Sequence, residues 1–344
     1  MQIGKTGVAV LVVLILITGS VSAYNFYTIS QLNQRVDELS ASLNVIFGVE
    51  VFKDAYGNTI LIVPQGVEVP EILSFDRIVV RVPSQRIASF APSITETLFA
   101  IGLGNQVVAV TKWCEWPPEM VDRKKSGNLT VFNNIVDPEV EKVVAANPDL
   151  ILVPTFMRPE GVKKLKDLGY PVVGIDYGNS LDSIYNAITL IGKLTGTKDN
   201  AENLVSRMQQ NITRVSNAVA NLPKPKVFWM SWHDPLMSAG GPSFINSLIE
   251  TAGGVNIFGS VNIAWPTVSP EEVLSQNPDV IAFSEGHPGI SNVDDLLNLF
   301  PSWSEIKAVK DNKVFAVPTF FINPGPRTAE AIEIFAELIH GIEI

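Results

Sequence analysis

From about residue 86 to the C-terminus, short apolar runs alternate with stretches whose apolar residues recur every three or four positions. The runs at 86–90, 107–110, 150–153, 172–175, 227–230, 280–283 and 314–317 predict buried strands, too short for helices. Helical period between them predicts helices at 93–101, 138–146, 181–195 and 327–340. Strands alternating with helices imply parallel sheets with helical crossovers. One stretch differs: over 199–222, Leu204, Met208, Ile212, Val215 and Val219 form one stripe, and Pro223 and Pro225 end it. This is a single long helix placed to connect two lobes. Upstream, 48–85 looks like short strands and turns, with 54–58 as a hairpin turn between apolar runs.

The N-terminal pattern is of another kind. Val8 to Ile17 are all apolar and are followed by mostly small residues through Ala23. That is a secretory signal or, kept uncleaved, a membrane anchor. Ile29, Leu32, Val36, Leu39, Leu43 and Ile46 then step by threes and fours, a heptad seam that suits a helical stalk, with a helix packed on the body as the alternative. Either way the body is expected outside the cytoplasm, at the outer face of the membrane or in the periplasm. The expected organisation is signal or anchor 1–24, stalk 25–47, N-terminal lobe 48–198, connecting helix 199–222 and C-terminal lobe 223–344. The sequons at Asn128 and Asn211 are compatible with that location.

An internal repeat supports two lobes. Residues 140–151 match 270–281 without a gap, each running from a helix through Asn-Pro-Asp into an apolar strand. The alignment pairs Glu141 with Glu271; a weaker echo pairs 93–98 with 243–248. Two similar lobes place a ligand in the cleft between them.

Composition removes several classes. A net charge of -10 argues against nucleic acid as a partner. Cys114 is the only cysteine, which excludes an intrachain disulfide framework, a thiolate metal cluster and a lipid-bearing cysteine after the apolar run. His233, His287 and His340 are scattered, so no resident metal and no cofactor are expected; an axial contact from His233 to a metal carried by a ligand is the alternative. Neither a nucleophile elbow nor a phosphate-binding glycine loop is present, and the chain reads as a binder and not an enzyme.

The candidate ligand contacts are aromatic. Trp113 and Trp116 follow the strand at 107–110, Trp232 follows 227–230, Trp265 precedes Pro266 in a loop, and Phe320 and Phe321 follow 314–317. Ligands of open α/β sheets lie beyond the carboxyl ends of strands. The competing reading is that each ring fills a core. Arg327, at a helix start where a cation is disfavoured, is read as a structural clamp of its loop, with a place facing the cleft as the alternative.

Six segments taken together carry a resemblance: RIASFAPSITETLFAIG (86–102), VTKWCEWPPE (110–119), VEKVVAANPDLIL (140–152), AWPTVSPEEVLSQNPDVI (264–281), WSEIKAVKDNKVFAV (303–317) and NPGPRTAEAIEIFAELIH (323–340). In this order they resemble the cobalamin- and iron-siderophore-type solute-binding proteins of ABC importers. The resemblance implies two α/β lobes, each a mostly parallel sheet with flanking helices, joined by one long helix. It implies capture of a metal chelate, a corrinoid first and a ferric siderophore or haem otherwise, and delivery to a permease dimer in the membrane. It places corrinoid contacts at Trp113, Trp232 and Trp265, with a looser match at Phe132, and permease docking at Glu141 and Glu271. A surface sensor and, last, an extracellular enzyme are the alternatives from other classes.

Overall fold

The computed structural model describes residue 44, residues 48–69 and residues 77–344, excluding the side chain of Phe320. The expected signal or anchor and the stalk, Asn44 aside, lie outside the described residues. Among these, no helix is long and apolar enough to cross a membrane. The chain forms two compact units. The first holds the described residues up to 98, then 103–175 and 191–198; the second holds 99–102, 176–190 and 199–344.

The first unit opens with a small sheet: β1 (Glu50–Lys53), β2 (Thr59–Pro64) and β3 (Ile78–Val82). β1 and β2 are antiparallel, with Lys53 opposite Thr59, so 54–58 is the hairpin turn expected from the sequence. Its chemistry is local. The buried Asp54 carboxylate accepts from the amides of Tyr56 at 3.0 Å and Asn58 at 2.8 Å, an Asx-type turn. The other oxygen of Asp54 accepts from Gly174 N at 3.0 Å, and the Tyr56 hydroxyl donates to the Pro154 carbonyl at 2.7 Å. The hairpin tip is thereby latched to the edge of the main sheet of this unit.

That sheet is made by β4 (Ile87–Ser89), β5 (Val107–Thr111), β6 (Thr130–Phe132), β7 (Leu150–Pro154) and β8 (Val172–Ile175), with α1 (Pro92–Ala100), α2 (Pro118–Lys125), α3 (Val140–Ala146) and α4 (Pro159–Asp167) as connections. Its order is β6-β5-β4-β7-β8, and every pairing is parallel. Such strands are apolar on both faces, and β7 and β8 are buried at every residue. Strand β6 is absent from the sequence reading because Thr130 to Phe132 is too short to show a period.

Next come α5 (Leu181–Thr195) and the long helix α6 (Lys198–Val219), three residues shorter at its end than the sequence suggested. The stripe of Leu204, Met208, Ile212, Val215 and Val219 is buried. The second unit continues with β9 (Lys226–His233), β10 (Leu236–Ser238), α7 (Phe244–Thr251), β11 (Val255–Asn256), α8 (Pro270–Gln276), β12 (Val280–Ser284), α9 (Val293–Leu299), α10 (Lys307–Lys310), β13 (Val314–Val317) and α11 (Thr328–His340). Its sheet runs β10-β9-β12-β13, with β11 also on β9. All pairings are parallel except the short hairpin strand β10. Within this unit α6 is tied to α11 by Arg214 to Glu333 at 2.6 Å and by Asn211 to Glu333 at 3.2 Å.

The sequence repeat is one structural device used twice. Asn147 and Asn277 cap α3 and α8 in the left-handed region, at φ 45° and 47°, where asparagine is tolerated better than most residues. The proline that follows ends each helix. The aspartates then act across the sheet and not on their own turn. Asp149 accepts from the amides of Gln85 and Arg86 at 2.8 and 3.0 Å; Asp279 accepts from the Lys226 amide at 2.8 Å. Each sets the start of a strand against a neighbouring strand of its unit.

Candidate ligand-binding site

The six tryptophans separate by exposure. Trp229 and Trp303 are buried; the indole of Trp303 donates to the Pro270 carbonyl at 3.1 Å and meets Phe228 edge-on at 5.6 Å. Trp113, Trp116, Trp232 and Trp265 are 40–47% exposed. These four are the ones selected from the sequence.

In the first unit, Trp113 and Trp116 lie just past the carboxyl end of β5, in a loop held from both sides. Inside, Cys114 is a buried plug: its sulfur lies 3.2 Å from Thr95 Oγ1 and 3.3 Å from Thr111 Oγ1, and burial pushes its thiol pKa up. Outside, Lys124 Nζ donates to the carbonyls of Lys112 at 2.9 Å and Cys114 at 2.6 Å. With residues 112 and 114 fixed, the side chain between them is turned to solvent. The Lys112 ammonium lies 4.6 Å from the centre of the Trp113 ring. Phe156, in the turn after β7, is 59% exposed at the same carboxyl edge of this sheet. Sequence reasoning missed it, although the rule that selected Trp113, an aromatic directly after a strand, finds it too.

In the second unit, Trp232 is near the carboxyl end of β9. Its indole donates to the Asp234 carbonyl at 2.8 Å, and its ring stacks on His233 with centres 5.5 Å apart. Trp265 sits on a loop stitched to the segment after β10. Ser238 N donates to Pro266 O at 3.0 Å, Gly240 N to Ala264 O at 2.9 Å and Gly241 N to Val261 O at 2.9 Å. A Cβ at Gly240 would lie 2.0 Å from the Ile263 carbonyl, so only glycine permits this approach. Ile263 on the same loop is 61% exposed and extends the apolar surface beside Trp265. Rings held by a braced backbone lose little freedom on meeting a ligand.

Two expected contacts are elsewhere. Phe132 is fully buried and stacks on Phe90 with centres 4.3 Å apart and planes 11° apart, a pair at the core of the first unit. The physical reason is its place in β6, whose side chain here points into the packed face. Phe321 is buried, with the Arg327 guanidinium 4.6 Å above its ring. Arg327 also reaches Glu330 at 3.2 Å and serves as the clamp expected from the sequence. The side chain of Phe320 is outside what is described. Among the described residues no group of three or more His, Cys, Asp or Glu could hold a metal ion.

Glu141 and Glu271 each occupy the second position of their helix, α3 and α8, and both are exposed. Their neighbours are engaged instead. Glu139 accepts from the Asn133 amide and pairs with Lys142 at 2.8 Å, which holds its carboxyl below the usual range. Glu272 closes a capping box with Ser269, at 2.8 and 3.1 Å. At α8 the capping is thus done by Ser269 and Glu272, while at α3 no side chain caps the helix and Glu139 is held by Asn133 and Lys142.

A comparison with known proteins agrees with this architecture. The periplasmic binding protein family matches residues 87–319. An uncharacterized ABC transporter substrate-binding lipoprotein of Bacillus subtilis is 29% identical over 264 residues, 74% of this chain and 80% of that protein. A vitamin B12-binding protein of Vibrio cholerae is 28% identical over 254 residues, covering 73% and 87%. A solved periplasmic solute-binding protein of Staphylococcus epidermidis superposes with a TM-score of 0.67 at 28% identity, covering 75% of this chain and 99% of that one. The small sheet β1–β3 precedes the matched stretch. With its paired α/β units, its repeated helix-stop device and this match over most of its length, the chain belongs to the periplasmic binding protein family and works outside the cytoplasm.

Proposed function

We propose that the chain receives a solute for an ABC importer, that the solute is a large flat metal chelate, a corrinoid first, and that it is captured and passed on without conversion. The observation that carries this reading is the partition of the tryptophans. Four indoles stay 40–47% exposed, three on loops and Trp232 near the end of β9, while the other two are buried. Exposed tryptophan on a rigid loop gains by meeting an apolar partner, and a broad ring system is what an indole covers well. Trp113, Trp116, Trp232 and Trp265 are the proposed contacts, with Phe156 added. The vitamin B12-binding relative favours a corrinoid over haem or a ferric siderophore.

Glu141 and Glu271 are proposed to dock on the permease. They occupy equivalent positions, one per unit, each exposed in the first turn of its helix. Arginines on a symmetric permease would pair with them in bidentate geometry.

The test is a thermal-shift panel on the full-length chain with cyanocobalamin, cobinamide, hemin and a ferric siderophore. At 100 times its dissociation constant, a ligand adds about 2.7 kcal/mol to stability. Stabilisation by the corrinoids is expected. No shift with any of the four removes this ligand class.

A further inference from the structure

Beside Trp232 the second unit holds chemistry that contact with a flat organic ring leaves unexplained. His233 ends β9, and His287 lies just past β12, its parallel neighbour in the sheet. Their ring centres are 5.2 Å apart with planes at 54°, and Trp232 packs within 5.4–5.5 Å of both. His287 is only 6% exposed. Its Nδ1 lies 3.1 Å from the Pro288 carbonyl oxygen. A carbonyl only accepts, so Nδ1 carries the hydrogen and Nε2 carries the lone pair. That Nε2 is buried without a hydrogen-bond partner, and so is Nδ1 of His233. A buried polar atom left unsatisfied is costly, and here two such atoms stand in one small cluster.

This is the preparation a metal-binding imidazole receives: a backbone carbonyl fixes the tautomer and aims the other nitrogen. The distance agrees as well. Two imidazoles on one tetrahedral ion, at about 2.0–2.1 Å from it, have ring centres about 5 Å apart.

We propose that His233 and His287 form a two-imidazole site for a borderline divalent transition-metal ion of the zinc, cobalt and nickel class. No third His, Cys, Asp or Glu joins them among the described residues. The remaining coordination positions are therefore filled by water or by a donor brought from outside. Imidazole nitrogen selects this class over calcium and magnesium, which take oxygen ligands. The site does not depend on the cargo being a corrinoid.

The test titrates the full-length chain with cobalt(II), read by its visible d–d absorption, and with zinc by equilibrium dialysis. One ion per chain is expected. His233→Ala and His287→Gln should each weaken binding by at least about 10-fold, while His340→Gln should leave it unchanged. Melting curves without metal establish that each variant is folded. The proposal is overturned if the parent binds neither ion at millimolar concentration, or if the double variant His233→Ala, His287→Gln binds as the parent does. A His287-dependent change in the hemin or aquocobinamide spectrum, with no uptake of the free ions, would overturn it in favour of contact with a metal carried in the cargo. Stabilisation by cyanocobalamin is measured separately, so failure of the ion site and failure of the proposed function are distinguishable.

Discussion

Replacing Trp265 by alanine separates a ligand contact from a core residue. The indole is 47% exposed. A tryptophan side chain offers at most about 250 Å², so about 100 Å² is open for a ligand to cover. At about 25 cal/mol per Å² this is worth about 2.5 kcal/mol, or about a 70-fold loss in affinity. The loop does not rest on the indole, because its backbone is stitched to residues 238–241. Melting temperature should therefore fall little. Trp303→Ala is the comparison: it empties a buried site that contacts Phe228 and Phe300, and should cost about 3–5 kcal/mol of stability. Cyanocobalamin affinity by titration calorimetry and unfolding by urea, on the same two variants, give both numbers. The reasoning fails if Trp265→Ala unfolds as easily as Trp303→Ala while cyanocobalamin binds it as tightly as the parent.

The double change Glu141→Ala and Glu271→Ala should leave cyanocobalamin affinity in solution intact and abolish uptake in vesicles carrying the permease; truncating one side of a desolvated charge pair costs about 2–5 kcal/mol. Undiminished uptake would reduce both residues to helix-start carboxylates. Gly240→Ala should displace the Trp265 loop, since its Cβ would meet the Ile263 carbonyl, and weaken cyanocobalamin binding more than Trp265→Ala does; unchanged binding would show that the loop is not braced there. Gly174→Ala puts a Cβ 2.4 Å from the Tyr56 ring and should cost about 1–3 kcal/mol, whereas Tyr56→Phe, which removes only the hydroxyl shared between the Pro154 and Met157 carbonyls, should cost about 1 kcal/mol; both are read from urea midpoints.

Much of the fold was legible in one dimension because it rests on short-range physics. Apolar runs marked the strands β4, β5, β7, β8, β9, β12 and β13, most of whose residues are apolar. The stripe from Leu204 to Val219 marked α6, and the exact spacing of the repeat marked the two helix stops. The three-residue strands β6 and β10 left no period to find, and the ladder that makes them strands comes from distant neighbours. The same limit governs the site. The chain order placed aromatics after strands and the resemblance added Phe132, but neither could tell that ring from Trp113. Both lie near strand ends; only packing turns one ring to solvent beside Lys112 and the other onto Phe90. Nor could the sequence show that Asp149 and Asp279 cap strands some fifty to sixty residues away, or that His233 and His287, scattered by number, share one cluster. Local sequence determined which elements form and where they stop. Which side chains meet was decided by the tertiary structure, because those contacts join residues that are neighbours only once the sheets are assembled.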